Sequence, residues 1–129
     1  MVVDASIVLA FLFKDESSPD VETMIRHVAR ESAVVPAHFW FETRNALLSA
    51  ERRGRASPAE TTAYLALLGD LPLCVDFEPD QGTIFALARA HQLSFYDAAY
   101  LELALRRNLP LQTLDQRLAE ATSKAARST

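Results

Sequence analysis

Asp4, Glu42, Asp97 and Asp115 are far apart in the chain, yet each stands where a strand ends or where a helix shows a polar slot in an apolar surface. Two unit charges about 4 Å apart repel by roughly 4 kcal/mol at an effective dielectric near 20, and four gathered carboxylates compound that. Protonation would relieve the repulsion but disable the ligands. Mg²⁺ or Mn²⁺ relieves it while keeping them, because both accept oxygen donors and retain waters for a substrate phosphate. The chemistry such a site can do is metal-assisted phosphodiester hydrolysis. One ion can activate a water and stabilise the leaving 3′ oxygen, and two ions about 3.5 to 4 Å apart can share those tasks. Asp4, Glu42 and Asp97 are the expected ligands, with Asp115 completing the site or holding a metal-bound water. Asn45, one turn from Glu42, and the hydroxyls of Ser6 and Thr113 are the groups able to orient them. His27, His38 and His91 have no zinc-type spacing and read as surface residues.

Taken singly, each acid also has a plain structural reading. Asp115 can cap a helix, Asp97 at a third helical position gains from the helix dipole, and Asp4 can begin a turn. Asp97 argues furthest for more. Laid out at about 100° per residue, Phe95 to Arg107 places Tyr100, Leu101, Leu103, Ala104 and Leu105 on one arc with Asp97 in its middle. A carboxylate there is stripped of water and needs a proton or a partner. Glu102 and Arg106 fall on the other side, as an expected i, i+4 pair in water.

The elements that must position these side chains alternate. A short strand at Met1 to Asp4 turns into a helix near Ala5, which runs to Phe13. Ser18 and Pro19 open a second helix through about Arg30. Ala33 to Pro36 is a strand, and Ala37 to Arg53 a long helix closed by Gly54. Ser57 to Glu60 reads as a capping box for a helix ending near Gly69. Leu73 to Phe77 is a strand, Pro79 to His91 a helix, and Ser94 caps the helix that carries Asp97. Leu109 to Thr113 is the last strand, with Asp115 at the head of a short final helix. From Ala121 to residue 129 the composition predicts a frayed tail. Alternation of this kind predicts an α/β fold, a three-layer α/β/α sandwich with a mostly parallel central sheet, in one domain over residues 1–129. In such sheets ligands bind beyond the carboxyl ends of the strands, where Asp4 and Asp115 fall.

Composition narrows the class. The chain has 129 residues, half of them apolar, which suits one compact domain with a surface that wants a partner. Its net charge is −4, but with the four acids set aside thirteen carboxylates face thirteen Lys and Arg. Eleven of those cations are arginine, grouped at Arg52, Arg53 and Arg55 and at Arg106 and Arg107, as solvated helix ends or phosphate holders. The single cysteine, Cys74, excludes an internal disulfide and sits in a sequence that reads as a buried strand. The apolar run Ile7 to Phe13 is far shorter than the roughly 20 residues of a membrane helix and has no basic segment before it. A cytoplasmic protein without a membrane partner is the expectation.

Val2-Val3-Asp4-Ala5-Ser6, Trp40-Phe41-Glu42 with Asn45-Ala46, Leu93 to Ala98 with Tyr100-Leu101, and Thr113-Leu114-Asp115 with Arg117-Leu118 together resemble the PIN-domain ribonucleases, in particular VapC-type toxins. The resemblance spans nearly the whole chain. It implies a PIN-like sandwich, Mg²⁺ or Mn²⁺ held by Asp4, Glu42, Asp97 and Asp115, and Thr113 as the supporting hydroxyl. It further implies an RNA substrate, inhibition of translation, a homodimer, and a VapB-type antitoxin that makes a heterotetramer or larger assembly. Two other readings remain open: a PIN nuclease of RNA maturation or decay, and a non-catalytic, metal-stabilised interaction module. An aspartyl-nucleophile phosphatase would want a second Asp where Ser6 stands.

Overall fold

The computed structural model describes residues 1–127. Four strands, β1 (Val2–Val3), β2 (Ala33–Pro36), β3 (Leu73–Asp76) and β4 (Leu111–Gln112), form one sheet in the order β3-β2-β1-β4, with every pair parallel. Successive residues of a strand face opposite sides of a sheet. Val2 and Val3 are both fully buried, so helices cover β1 on both faces. The described residues form seven α-helices: α1 (Ala5–Leu12), α2 (Pro19–Glu31), α3 (Phe39–Arg52), α4 (Pro58–Gly69), α5 (Gln81–His91), α6 (Phe95–Arg107) and α7 (Gln116–Arg127). α1 packs with α2, α3 and α4, while α6 packs with α5 and α7 and against β1, β2 and β4. The α/β fold with a parallel sheet follows the expectation from sequence.

Local chemistry sets most element ends. Ser18 accepts a hydrogen bond from the Val21 amide with Pro19 behind it, and Ser57 and Glu60 bond each other's backbone in a complete capping box. Gly54 closes the long α3 at φ +72°, a conformation that costs a residue without Cβ nothing. α6 is the hub, buried continuously from Ala98 to Ala104.

Several details depart from the sequence reading. α3 and α5 each begin two residues late, at Phe39 and Gln81, and β4 is only Leu111–Gln112. Cys74 is exposed rather than buried, because β3 is an edge strand on which Cys74 and Val75, on opposite faces, are both left exposed. The stretch from Ala121 is not frayed as far as it is described. α7 runs to Arg127 and buries Ala121 and Ala125, and only residues 128–129 lie outside the described part. Glu102 is not half of a solvent pair. It is 1 % exposed, and Arg106 ties it to Asp76 at the end of β3. An α-helical projection places a residue on a face but cannot tell which neighbour covers that face. No helix among the described residues is long and apolar enough to cross a membrane.

Candidate functional site

Parallel pairing of β1 with β4 matches Val2 to Leu111 and Val3 to Gln112, so Asp4 and Thr113 leave the sheet side by side. Asp4 caps α1, its Oδ1 accepting from the amides of Ser6 and Ile7 at 3.1 and 3.4 Å. The Ser6 hydroxyl donates to the same oxygen at 2.5 Å, and the Thr113 hydroxyl donates to Oδ2 at 2.5 Å. Each hydroxyl also accepts a backbone N–H from the loop after β4, Ser6 from Leu114 and Thr113 from Asp115, both at 2.9 Å. Two short side chains thereby fasten Asp4 to the segment that presents Asp115. Asp4 is 5 % exposed, and its pKa lies above the usual carboxylate value because burial outweighs these donors.

Ser94 caps α6 by accepting from the Asp97 amide at 3.1 Å, which fixes Asp97 at the third position of the helix. The Asp97 pKa is raised, first by loss of water and then by the charges of Asp115 and Asp4. Glu42 stands on the first turn of α3, its carboxyl about one-third exposed. Burial raises its pKa and the charge of Asp97 adds to this, against a hydrogen bond that the Tyr100 hydroxyl donates to Oε1 at 2.6 Å. Charge links the four acids through Asp97, which feels Asp115 and Asp4 and is itself felt by Glu42. Asp115 also does the plain structural job, its Oδ1 accepting from the Leu118 amide at 2.9 Å to cap α7.

Of the supporting residues expected from sequence, Ser6 and Thr113 touch Asp4. Asn45 is exposed, and its side chain makes no hydrogen bond among the described residues. Two neighbours of Glu42 went unread. Tyr100 is 1 % exposed and reaches Glu42 from α6, its own proton held tightly by burial and by the Glu42 carboxylate. His38 is not a detached surface residue. Its ring packs between Tyr96 and Tyr100 with Nε2 buried 3.3 Å from Glu42 Oε1, and burial lowers its pKa. The available signals were the four-residue spacing of His38 from Glu42 and the three-residue spacing of Tyr100 from Asp97.

No group of three or more His, Cys, Asp or Glu side chains placed to hold a metal ion occurs among the described residues. That arrangement does not misfit Mg²⁺, which is commonly held by one or two carboxylates and keeps several waters. The donors are hard oxygens whose pKa values are raised first by burial, with the charge of neighbouring acids added at Asp97 and Glu42, and a divalent cation would favour their charged forms.

Residues 1–124 match the model of the PIN domain family. Among curated proteins, the chain is 33 % identical over 127 residues to Ribonuclease VapC3 of Mycobacterium tuberculosis, covering 97 % of this chain and 89 % of that one. It is 31 % identical over 123 residues to Ribonuclease VapC3 of Pyrobaculum aerophilum, with 93 % and 92 % covered. Among solved structures, the crystal structure of PAE2754 from Pyrobaculum aerophilum superposes with a TM-score of 0.73 at 28 % identity, over 94 % of this chain and 84 % of that one.

Proposed function

As this chain belongs to the PIN-domain family, we propose that it is a Mg²⁺- or Mn²⁺-dependent endoribonuclease of the VapC type, the toxin of a toxin–antitoxin pair. The observation that carries this reading is that acids from four separate segments lie near enough at one end of a parallel sheet for Asp115 and Asp4 to act on Asp97 and for Asp97 to act on Glu42, with Asp4 braced by Ser6 and Thr113. Asp4, Glu42, Asp97 and Asp115 are the residues that would hold the ion, one or two of them directly and the others through its waters. When bound, it would supply a Lewis acid for the phosphate and a more acidic water.

The chain's own side chains do the rest. Ser6 and Thr113 each direct their proton to Asp4, which leaves its carboxylate aimed and unable to rotate freely. Tyr100 does the same for Glu42 from the hub helix, so the α3 ligand is positioned by α6, the element that carries Asp97. Supporting contacts of this kind hold ligands ready at little cost when the ion arrives. Exposed Trp40, Phe41 and Leu48 on α3 suit cover by a protein partner, which in this reading is a second copy or a VapB-type antitoxin.

The test is cleavage of RNA by purified protein. Activity should require Mg²⁺ or Mn²⁺ and should vanish in Asp97→Asn while the far-ultraviolet circular dichroism stays the same. Equal cleavage in EDTA or in the variant would overturn the assignment. Growth arrest on expression alone, relieved by the product of an adjacent small gene, supports the toxin role; unimpeded growth with intact cleavage assigns the enzyme to RNA maturation or decay.

A further inference from the structure

The substrate just proposed is a polyanion, whereas the chain carries a net charge of −4 and crowds carboxylates at the place where the strand must be cut. An approaching strand is repelled there unless cations nearby take up its phosphates. Many arginines are committed elsewhere. Arg106 pairs with Asp76 and Glu102, Arg107 with Asp76, Arg55 with Asp15 and Glu16, and Arg44 lies 4.4 Å over the Trp40 ring.

The cations of α7 are gathered along a cleft. At about 100° per residue Arg117, Lys124 and Arg127 fall within about 80° of one another, on a face that adjoins the buried Ala121. Together with His91 and Gln92 from the end of α5, they line a cavity of about 480 Å³ to which Glu120 contributes a carboxylate. Glu120 accepts from the Gln116 side-chain amide at 3.2 Å. A purely solvated helix face would need no facing wall, but this one has the end of α5 across from it.

The position of the cleft gives it a use. Arg117 comes two residues after Asp115, and Gln92 two residues before Ser94, the cap of the helix that carries Asp97. The Arg117 guanidinium donates to the Gln92 carbonyl at 3.4 Å and joins these two segments. One end of the cleft is therefore anchored between the segments that present Asp115 and Asp97. From there α7 runs on for about 15 Å, a few nucleotides of strand. We propose that this cleft binds the phosphodiester backbone of a single-stranded RNA segment flanking the bond to be cut. The proposal rests on the nuclease reading above.

The test is fluorescence anisotropy of an unstructured, labelled RNA of about 12 nucleotides with the full chain in EDTA, between about 50 and 200 mM salt. The triple variant Arg117→Gln, Lys124→Gln, Arg127→Gln should bind on the order of tenfold more weakly at low salt. Its log–log salt slope should be shallower by about 2, at roughly 0.7 for each phosphate no longer neutralised. Arg117→Lys with Arg127→Lys, which keeps the charge, should retain the slope and guards against a folding artefact. An unchanged slope in the triple variant, or an equal loss from Arg26→Gln, Arg30→Gln, Arg52→Gln, would overturn the proposal. So would displacement of the RNA by polyglutamate at equal charge concentration, which would assign the cleft to an acidic protein segment. Failure of the nuclease reading would show separately, as RNA bound with the expected slope but not cut by the parent protein in Mg²⁺.

Discussion

Asp4 receives four hydrogen bonds, two from hydroxyls and two from amides, and such donors ordinarily drive a carboxyl pKa down. That its pKa is nevertheless raised means that removal from water is the larger effect. Glu42 shows the same balance with a single strong donor, Tyr100, and so offers a cleaner experiment. In Tyr100→Phe the ring still fills its place in α6 while the bond to Oε1 is removed. Because the Glu42 carboxyl is about one-third exposed, water can replace the donor, and the stability change should stay within about 1.5 kcal/mol by urea titration. Metal-dependent RNA cleavage should fall about 10- to 100-fold, the usual cost of removing a group that orients a metal ligand. An activity loss no larger than the stability change explains would remove Tyr100 from the site. The sequence places Tyr100 on the apolar arc with Asp97 and goes no further, since its partner is on another helix. Ser6 is legible because it follows Asp4 in the first turn of α1, and Thr113 because it continues the strand that pairs with β1, whereas Asn45 shares a helix face with Glu42 without sharing its surroundings.

At the scale of elements, the segments whose ends carry their own chemistry are legible. The Ser18-Pro19 start, the Ser57 capping box, the Gly54 stop and the Ser94 cap all fall where local sequence predicts them. What escapes a sequence reading depends on contacts between elements. Glu102 and Arg106 are spaced for a solvent pair, but the end of β3 lies over them and brings Asp76, so that Arg106 bonds both acids and Arg107 bonds Asp76 as well. Nothing local to α6 announces a carboxylate some thirty residues earlier. The arginines hold the Asp76 pKa at about 2, against an ordinary 3.8. A depressed carboxylate stabilises the fold above its unfolded pKa and loses that contribution as pH falls through the folded value. Asp76 should thus contribute about 2 kcal/mol above pH 4, lost between about pH 4 and 2. Asp76→Asn leaves Arg106 facing Glu102 alone and should cost about 3 kcal/mol at pH 7 in urea titration. The deficit should shrink as the parent is titrated toward pH 2. A deficit independent of pH would mean that Asp76 acts through packing and not through charge.

For the whole molecule, a parallel sheet whose central strand is covered on both faces delivers the ends of β1 and β4, and the starts of α3 and α6, to one region where carboxylates disfavour one another. Parallel pairing and convergence can be argued from alternation of elements, but the cost of that convergence has to be read from the assembled acids. Asp4, Glu42 and Asp97 all have raised pKa values, so the folded state holds their protons more tightly than the unfolded chain. Stability from this source is fully present below the unfolded values of 3.8 and 4.5 and is lost as pH rises through the folded ones. His38 works in the opposite direction. Its depressed pKa favours the fold above 6.5 and withdraws that support as pH falls, so a single melting curve mixes the two effects. Magnesium separates them. The ion needs deprotonated oxygens, so the rise in Tm that it produces should be small at pH 5 and should grow toward pH 8. Asp97→Asn removes a charge that the folded state resists, and without metal at pH 8 it should melt above the parent. With metal the order should reverse, because the parent gains the ion and the variant largely does not. A magnesium effect of equal size at both pH values, or a variant less stable than the parent in EDTA, would show that the acids are not the charge the ion relieves.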